Sequence, residues 1–341
     1  MSDHASITTS LTTPQPPDRW TRVRSAALQR PILQLVVLVA IAVWLVVLVP
    51  SLPTNPRAIT SLLVVAALLA FAAMGQTLVV ILGGLDLTLP GYIMIGALLA
   101  VDGTAKLGLP LPIAALITVV GCGAVGAFLG FACHRWAISP LVITLGAGSV
   151  LSGLAFFLSG GDYGKPAPDP LRALASAGST TFGLPVPPVI FIVLGCAVVI
   201  WIVLTRTSAG RRFYATGVNP RAAGLARINT SATWTTVFAL SGALGGLAGM
   251  FIAGFGAGWS QGMGDPYLFT GLAAVLVGGT TFASQRGSFT RTLIGALILT
   301  LLSTLVLAYR LKEEQGLILY GAIIIAMVAI YGRERHVRDR F

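Results

Sequence analysis

Charge is what this sequence has least of. Of its 341 residues, 22 are Lys or Arg and 11 are Asp or Glu, a charged share of 10%, against about 25% in soluble domains. So little polar surface excludes an ordinary water-soluble globular domain. Lysine is scarcer still: Lys106, Lys165 and Lys312 are the only ones. None stands in a Gly-x4-Gly-Lys-Ser/Thr context, and Lys165 is followed by Pro166. A phosphate-cradling P-loop needs that lysine, so this polypeptide does not bind nucleotide that way. His4, His134 and His336 fall in the N-terminal tail, a short turn and the C-terminus. No catalytic or metal cluster can be built from them, which argues against a membrane enzyme. Cys122, Cys133 and Cys196 lie in or beside apolar runs and read as buried thiols, with no disulfide framework or metal site.

What is present is apolar. Hydrophobic residues make up 55% of the chain, and its mean hydropathy is +0.88. The stretch "ILQLVVLVAIAVWLVVLV" (32–49) is long enough to cross the ~30 Å hydrocarbon core as a helix. A membrane barrel would show short alternating segments instead. The abundance of glycine, 40 residues, suits close helix–helix contact in lipid. The fold predicted is an all-α polytopic transmembrane bundle of about ten spans, near 32–50, 58–82, 88–101, 111–132, 140–158, 187–204, 233–254, 267–279, 289–308 and 316–331. The first run is too long for a signal-peptide core and no small-residue cleavage site follows it, so it reads as a retained anchor. An even number of spans places both termini on one side. With that side cytoplasmic, sixteen arginines lie inside and six basic residues outside, as the positive-inside rule prefers. The net charge of +11 follows from topology, and no nucleic-acid partner is needed. Residues 1–31 form a cytoplasmic tail, 32–332 the membrane domain, and 333–341 a basic cytoplasmic tail suited to anionic lipid headgroups.

Two stretches echo each other. "ILGGLDLTLPGYIMIGALL" (81–99) and "LVGGTTFASQRGSFTRTLIGALIL" (276–299) each carry Gly-Gly, a polar break and Ile-Gly-Ala-Leu. Gly83 aligns with Gly278 and Gly96 with Gly295, and such paired interruptions point to a transport site. Within the first stretch, Asp86 is a carboxylate lodged between apolar runs. At the bilayer centre it costs about 2.5–3.5 kcal/mol even on lenient scales, so it does not face lipid. One reading has Gly83 and Gly84 break the helix and Asp86 cap the next one, with Pro90 in its first turn. The other places Gly83, Gly84, Asp86 and Thr88 on a translocation path or gate. A self-contained secondary transporter would want several intramembrane ionisable groups in a relay; Asp86 is nearly alone, with Asp102 and Asp265 near span ends.

The polar insert "RRFYATGVNPRAAGLARINTS" (211–231) interrupts the hydrophobic pattern. Asn219 reads as an N-cap and Pro220 as the first helical residue. Ala222, Leu225 and Ala226 form a small apolar face, with Ile228 nearby. A helix this short is not stable alone in water, so something must cover it: the span ends of this chain, or a groove in a partner protein. The external segment 159–186 is either a solvated connector or the surface on which a delivering protein docks.

Residues of the insert carry a resemblance. Gly217, Asn219, Ala222, Ala223 and Ile228 match the coupling loop of ribose/xylose/arabinose-type ABC importer permeases, roughly Gly-x-Asn-x-x-Ala-Ala-x-x-x-Gly-Ile. Arg227 stands where that pattern has Gly, and Arg221 where an acid is common. "GQTLVVILGGLDLTLPG" (75–91), "SGALGGLAGMFIAG" (241–254) and "AVLVGGTTFASQRGSFTRTLIGAL" (274–297) are similar to further signatures of that family, in order along the chain. The resemblance implies a type II ABC-importer-like bundle in the bacterial inner membrane, pairing as a homo- or heterodimer with a translocation path between copies. It implies a separate ATPase subunit that binds ATP and Mg, docked on a loop spanning 205–232 with Gly217, Asn219, Pro220, Arg221, Ala222, Ala223, Leu225, Ala226 and Ile228 in contact. It implies a soluble sugar-binding protein outside, a monosaccharide as cargo, and no cofactor or covalent chemistry in this chain. Permeases for branched-chain amino acids, nucleosides or a signalling sugar belong to the same superfamily and remain alternatives.

Overall fold

The computed structural model describes residues 32–280 and 287–332. Both tails and Arg286, one of the arginines assigned to the cytoplasmic side, lie outside the described residues. Every named element among the described residues is a helix. In order, the helices are α1 Ile32–Leu48, α2 Pro56–Leu82, α3 Leu89–Leu98, α4 Thr104–Leu107, α5 Leu111–Arg135, α6 Pro140–Ser159, α7 Asp169–Ala175, α8 Pro188–Arg206, α9 Ser208–Val218, α10 Pro220–Leu225, α11 Thr230–Phe255, α12 Asp265–Val277, α13 Phe289–Ala308 and α14 Glu313–Gly332. Six of them, α2, α5, α6, α8, α11 and α13, are long and apolar enough to cross a membrane; α1 and α12 are shorter apolar helices. A wide π-helical turn, Leu99–Gly103, joins α3 to α4. Many helices open on a proline at the first or second position, where its missing N–H costs nothing.

α2 is the axis of the bundle. From Val64 to Leu82 it is buried at every position but one, whereas α6 and α8 expose most of their length. Its residues Leu68, Phe71 and Met74 meet Ile93, Ala248 and Leu299 from α3, α11 and α13 in the main apolar core. α11 crosses α2, α3 and α5 through small residues. A side chain on Gly242 would meet the Cys122 carbonyl, and one on Gly249 the Ile93 carbonyl. Helix backbones therefore approach closely, the packing on which association in lipid depends.

The repeat shifts by one residue from the sequence alignment. Gly83 ends α2 with φ 97°; Gly83 N–H donates to the Val80 carbonyl and Gly84 N–H to that of Val79, each at 3.0 Å. The counterpart is Gly279 rather than Gly278. Gly279 has φ 86°, its N–H donates to Leu276 at 2.8 Å, and Thr280 N–H donates to Val275 at 3.1 Å. Both stretches thus end a helix with the same left-handed Schellman turn. Gly278 instead keeps helical backbone, φ −60°, and is held to glycine by the nearby Arg291 carbonyl.

The segment after α6 is more than a solvated connector. It holds α7, and Ala167 N–H donates to the Ala257 carbonyl at 3.1 Å. Tyr163 meets Trp259 edge to face with 5.2 Å between ring centroids. Lys106 Nζ donates to the Ser159 carbonyl at 2.9 Å and pairs with Asp102 at 2.8 Å, so the end of α4 is tied to the end of α6.

Candidate functional site

Asp86 lies in the break between α2 and α3 and is 2% exposed. It is not the N-cap of the first reading; Thr88 occupies that position and makes no side-chain capping bond. The carboxylate reaches two residues forward instead. Thr88 N–H donates to Asp86 Oδ1 at 3.0 Å, the Asx-type bond that a short acidic side chain makes with its own chain. Its other oxygen is used across the bundle: Ser241 Oγ on α11 donates to Asp86 Oδ2 at 2.6 Å. Among the described residues no Lys, Arg or His forms an ion pair with it.

The same break grips α6. Leu87 N–H donates to Thr144 Oγ1 at 3.1 Å, and Thr88 Oγ1 donates to the Thr144 carbonyl at 3.2 Å. Gly83, Gly84, Asp86 and Thr88 therefore form one knot joining α2, α3, α6 and α11. Thr144 and Ser241 were missed from sequence because each is a hydroxyl in an otherwise ordinary apolar span.

The insert sits directly beneath this knot. α9, which the sequence reading did not separate as a helix, packs its buried Phe213 with Ile81, Leu82 and Phe238. A side chain on Gly217 would strike the Ile81 carbonyl, so glycine seats the insert on the end of α2. Tyr214 Oη donates to the Gly287 carbonyl at 2.9 Å. Burial raises the Tyr214 phenol above its ordinary value, with Arg291 opposing, and it stays a neutral donor.

α10 then starts as the sequence implied. Asn219 is the N-cap, its side chain accepting Ala222 N–H at 3.0 Å, and Pro220 is the first residue. The face divides, however. Ala223 is 4% exposed and turns into the bundle, so it seats the helix and is not on the outer surface. Arg221, Ala222, Leu225 and Ala226 are exposed, and Ile228 is half-buried. Leu225 reaches 88% exposure and Val218 adds to the same outward apolar face. α11 is capped by Asn229, which accepts Ala232 N–H at 2.9 Å.

Arg227 explains its own oddity. Its φ is 59°; its N–H donates to the Gly224 carbonyl and Ile228 N–H to that of Ala223, each at 3.0 Å. This is a Schellman turn with an arginine at the left-handed position, where glycine carries no Cβ penalty. Arg227→Gly is expected to stabilise the loop by about 1 kcal/mol, seen as a small rise in the thermal midpoint of the purified protein. An unchanged or lower midpoint would show that the arginine side chain offsets the backbone cost.

Among the described residues, no three His, Cys, Asp or Glu side chains gather as a metal site. No solved structure matches the chain. It is 28% identical over 267 residues to the autoinducer 2 import system permease protein LsrD of Escherichia coli (strain K12), covering 76% of this chain and 79% of that protein. It is 30% identical over 284 residues to the D-allose transport system permease protein AlsC of Escherichia coli (strain K12), covering 80% and 82%. Residues 58–328, which hold both the Asp86 knot and the seated insert, match the family described as branched-chain amino acid transport system / permease component, and the chain belongs to that family of membrane permeases.

Proposed function

We propose that this chain is the membrane-spanning subunit of an ATP-driven importer, carrying a monosaccharide handed over by a soluble binding protein. The observation that carries this reading is the insert. The insert is seated on its own bundle by Gly217 of α9 and Ala223 of α10, yet it leaves Val218, Ala222, Leu225 and Ala226 exposed. An apolar face of that kind, flanked by Arg221 and Arg227, suits the groove of a partner protein. The partner is the ATPase, which binds ATP and Mg; this chain holds no cofactor of its own. ATP binding moves the insert, and the insert moves the end of α2 and the knot at Asp86. Two copies, or one copy and a homologue, enclose the path as a type II bundle of about ten crossings each in the bacterial inner membrane, with both termini and α10 cytoplasmic. The 159–186 segment receives the binding protein outside, and membrane lipid surrounds the rest.

The sugar cargo is supported by the transported solutes in the names of LsrD and AlsC. The family description favours a second reading, branched-chain amino acids, and competition between labelled monosaccharide and labelled leucine separates the two. The purified chain alone is expected to hydrolyse no ATP, and the same chain with its ATPase to stimulate hydrolysis. Robust hydrolysis by the purified chain alone would contradict the assignment.

A further inference from the structure

The region where two half-helices meet is not used by the knot at Asp86. α3 begins at Leu89, whose side chain lies against Gly245 of α11. α12 begins at Asp265, and a side chain on the preceding Gly264 would collide with the main chain of Pro90. Gly245 is ten residues short of Phe255, the last residue of α11, which is about 15 Å at the helical rise. The 256–264 segment therefore descends from the outer end of α11 to its middle before α12 starts, and the 83–88 break rises to the same level from the opposite side. Each half-helix opens on a proline, Leu89-Pro90 and Asp265-Pro266. Discontinuous helices that meet at mid-depth are where transporters place their solutes.

Asp265 is exposed on the surface of the single chain at this level. Among the described residues no cation pairs with its carboxylate. One turn further, Phe269 is 56% exposed, and Gln261 is exposed on the approach. A carboxylate at mid-depth does not face hydrocarbon; it faces water or a pathway. Beside an exposed aromatic ring it presents acceptors for hydroxyl hydrogens next to an apolar plate for the C–H face of a ring.

We infer that Asp265 and Phe269 line the water-filled path and contact its solute, a neutral polyhydroxylated ring, with the carboxylate accepting from adjacent hydroxyls and the phenyl ring stacking on the C–H face. The solute class rests on the importer reading above; the placement on the path does not.

The test uses the full permease–ATPase complex with Cys122, Cys133 and Cys196 replaced by Ala, and single cysteines introduced as Asp265→Cys, Phe269→Cys and, as an apolar-surface control, Val199→Cys, which is 59% exposed as valine. A membrane-impermeant cationic thiosulfonate is expected to modify positions 265 and 269 about tenfold faster or more than position 199, because only a hydrated wall admits it. Saturating D-allose, D-ribose or D-xylose is expected to slow that reaction. Modification of 265 and 269 by a lipid-soluble maleimide but not by the thiosulfonate would overturn the placement. Protection by L-leucine and by none of the three sugars would overturn the sugar assignment while leaving Asp265 on the path.

Discussion

Ala222→Trp is expected to abolish ATP-driven uptake while the protein still accumulates in the membrane at near-normal level. Ala222 is exposed, so an indole there meets nothing in this chain and leaves the bundle's packing alone. Its neighbour Ala223 is 4% exposed, and Ala223→Trp should instead unseat α10 and lower membrane yield, because overpacking a closed contact displaces backbone. The two adjacent substitutions thus separate a partner surface from an internal one. With the ATPase docked as proposed, the Ala222→Trp indole is expected to hold it off the small face formed with Leu225 and Ala226, and pull-down of the ATPase by the tagged permease should fall with transport. Arg221 and Arg227 flank that face, so the complex should weaken with added salt more than a purely apolar contact would. Full uptake by Ala222→Trp, with failure of a cysteine at 221 to cross-link to the ATPase, would reduce the insert to a solvated loop.

Asp86→Asn is expected to leave the fold intact and to cut uptake about tenfold or more, the equivalent of roughly 1.4 kcal/mol. The amide keeps one oxygen to accept Thr88 N–H, and Ser241 Oγ can turn to accept from the new NH2 group, so no partner is stranded. What changes is the acceptor at Oδ2, and with it the short Ser241 hydroxyl bond that ties the α2–α3 break to α11. Asp86→Leu differs. It leaves the Thr88 N–H and the Ser241 hydroxyl unsatisfied in a closed site, at about 1–3 kcal/mol each, and should cost membrane yield as well as transport. Normal uptake by Asp86→Asn would leave Asp86 a structural residue only.

Much of this architecture was legible in the sequence. Long apolar runs set the helices, and prolines set many of their starts. Asn219 and Pro220 located α10 because capping and N-terminal proline act within a few residues. Long-range chemistry was not legible. The role of Asp86 depends on Ser241, 155 positions away, and nothing local marks that serine among the small residues of "SGALGGLAG". Ala222 and Ala223 look alike in sequence, and only their packing separates the outward residue from the seated one. The repeat was found one residue off, because Gly-Gly pairs align by letter while the left-handed turn selects Gly83 and Gly279. The departure at Arg227 was visible by letter, but only the fold shows it to be a left-handed backbone position that ordinarily favours glycine.

On the function proposed above, this chain moves solute only when a separate ATPase drives it through the insert. The most direct test is ATP-driven uptake of labelled D-allose and D-ribose into proteoliposomes containing the permease and its ATPase, with the sugar-binding protein outside and ATP inside. Uptake is expected to need ATP, ATPase and binding protein together and to be lost in Ala222→Trp. Uptake driven by an ion gradient, with the permease alone and no ATP, would contradict that function.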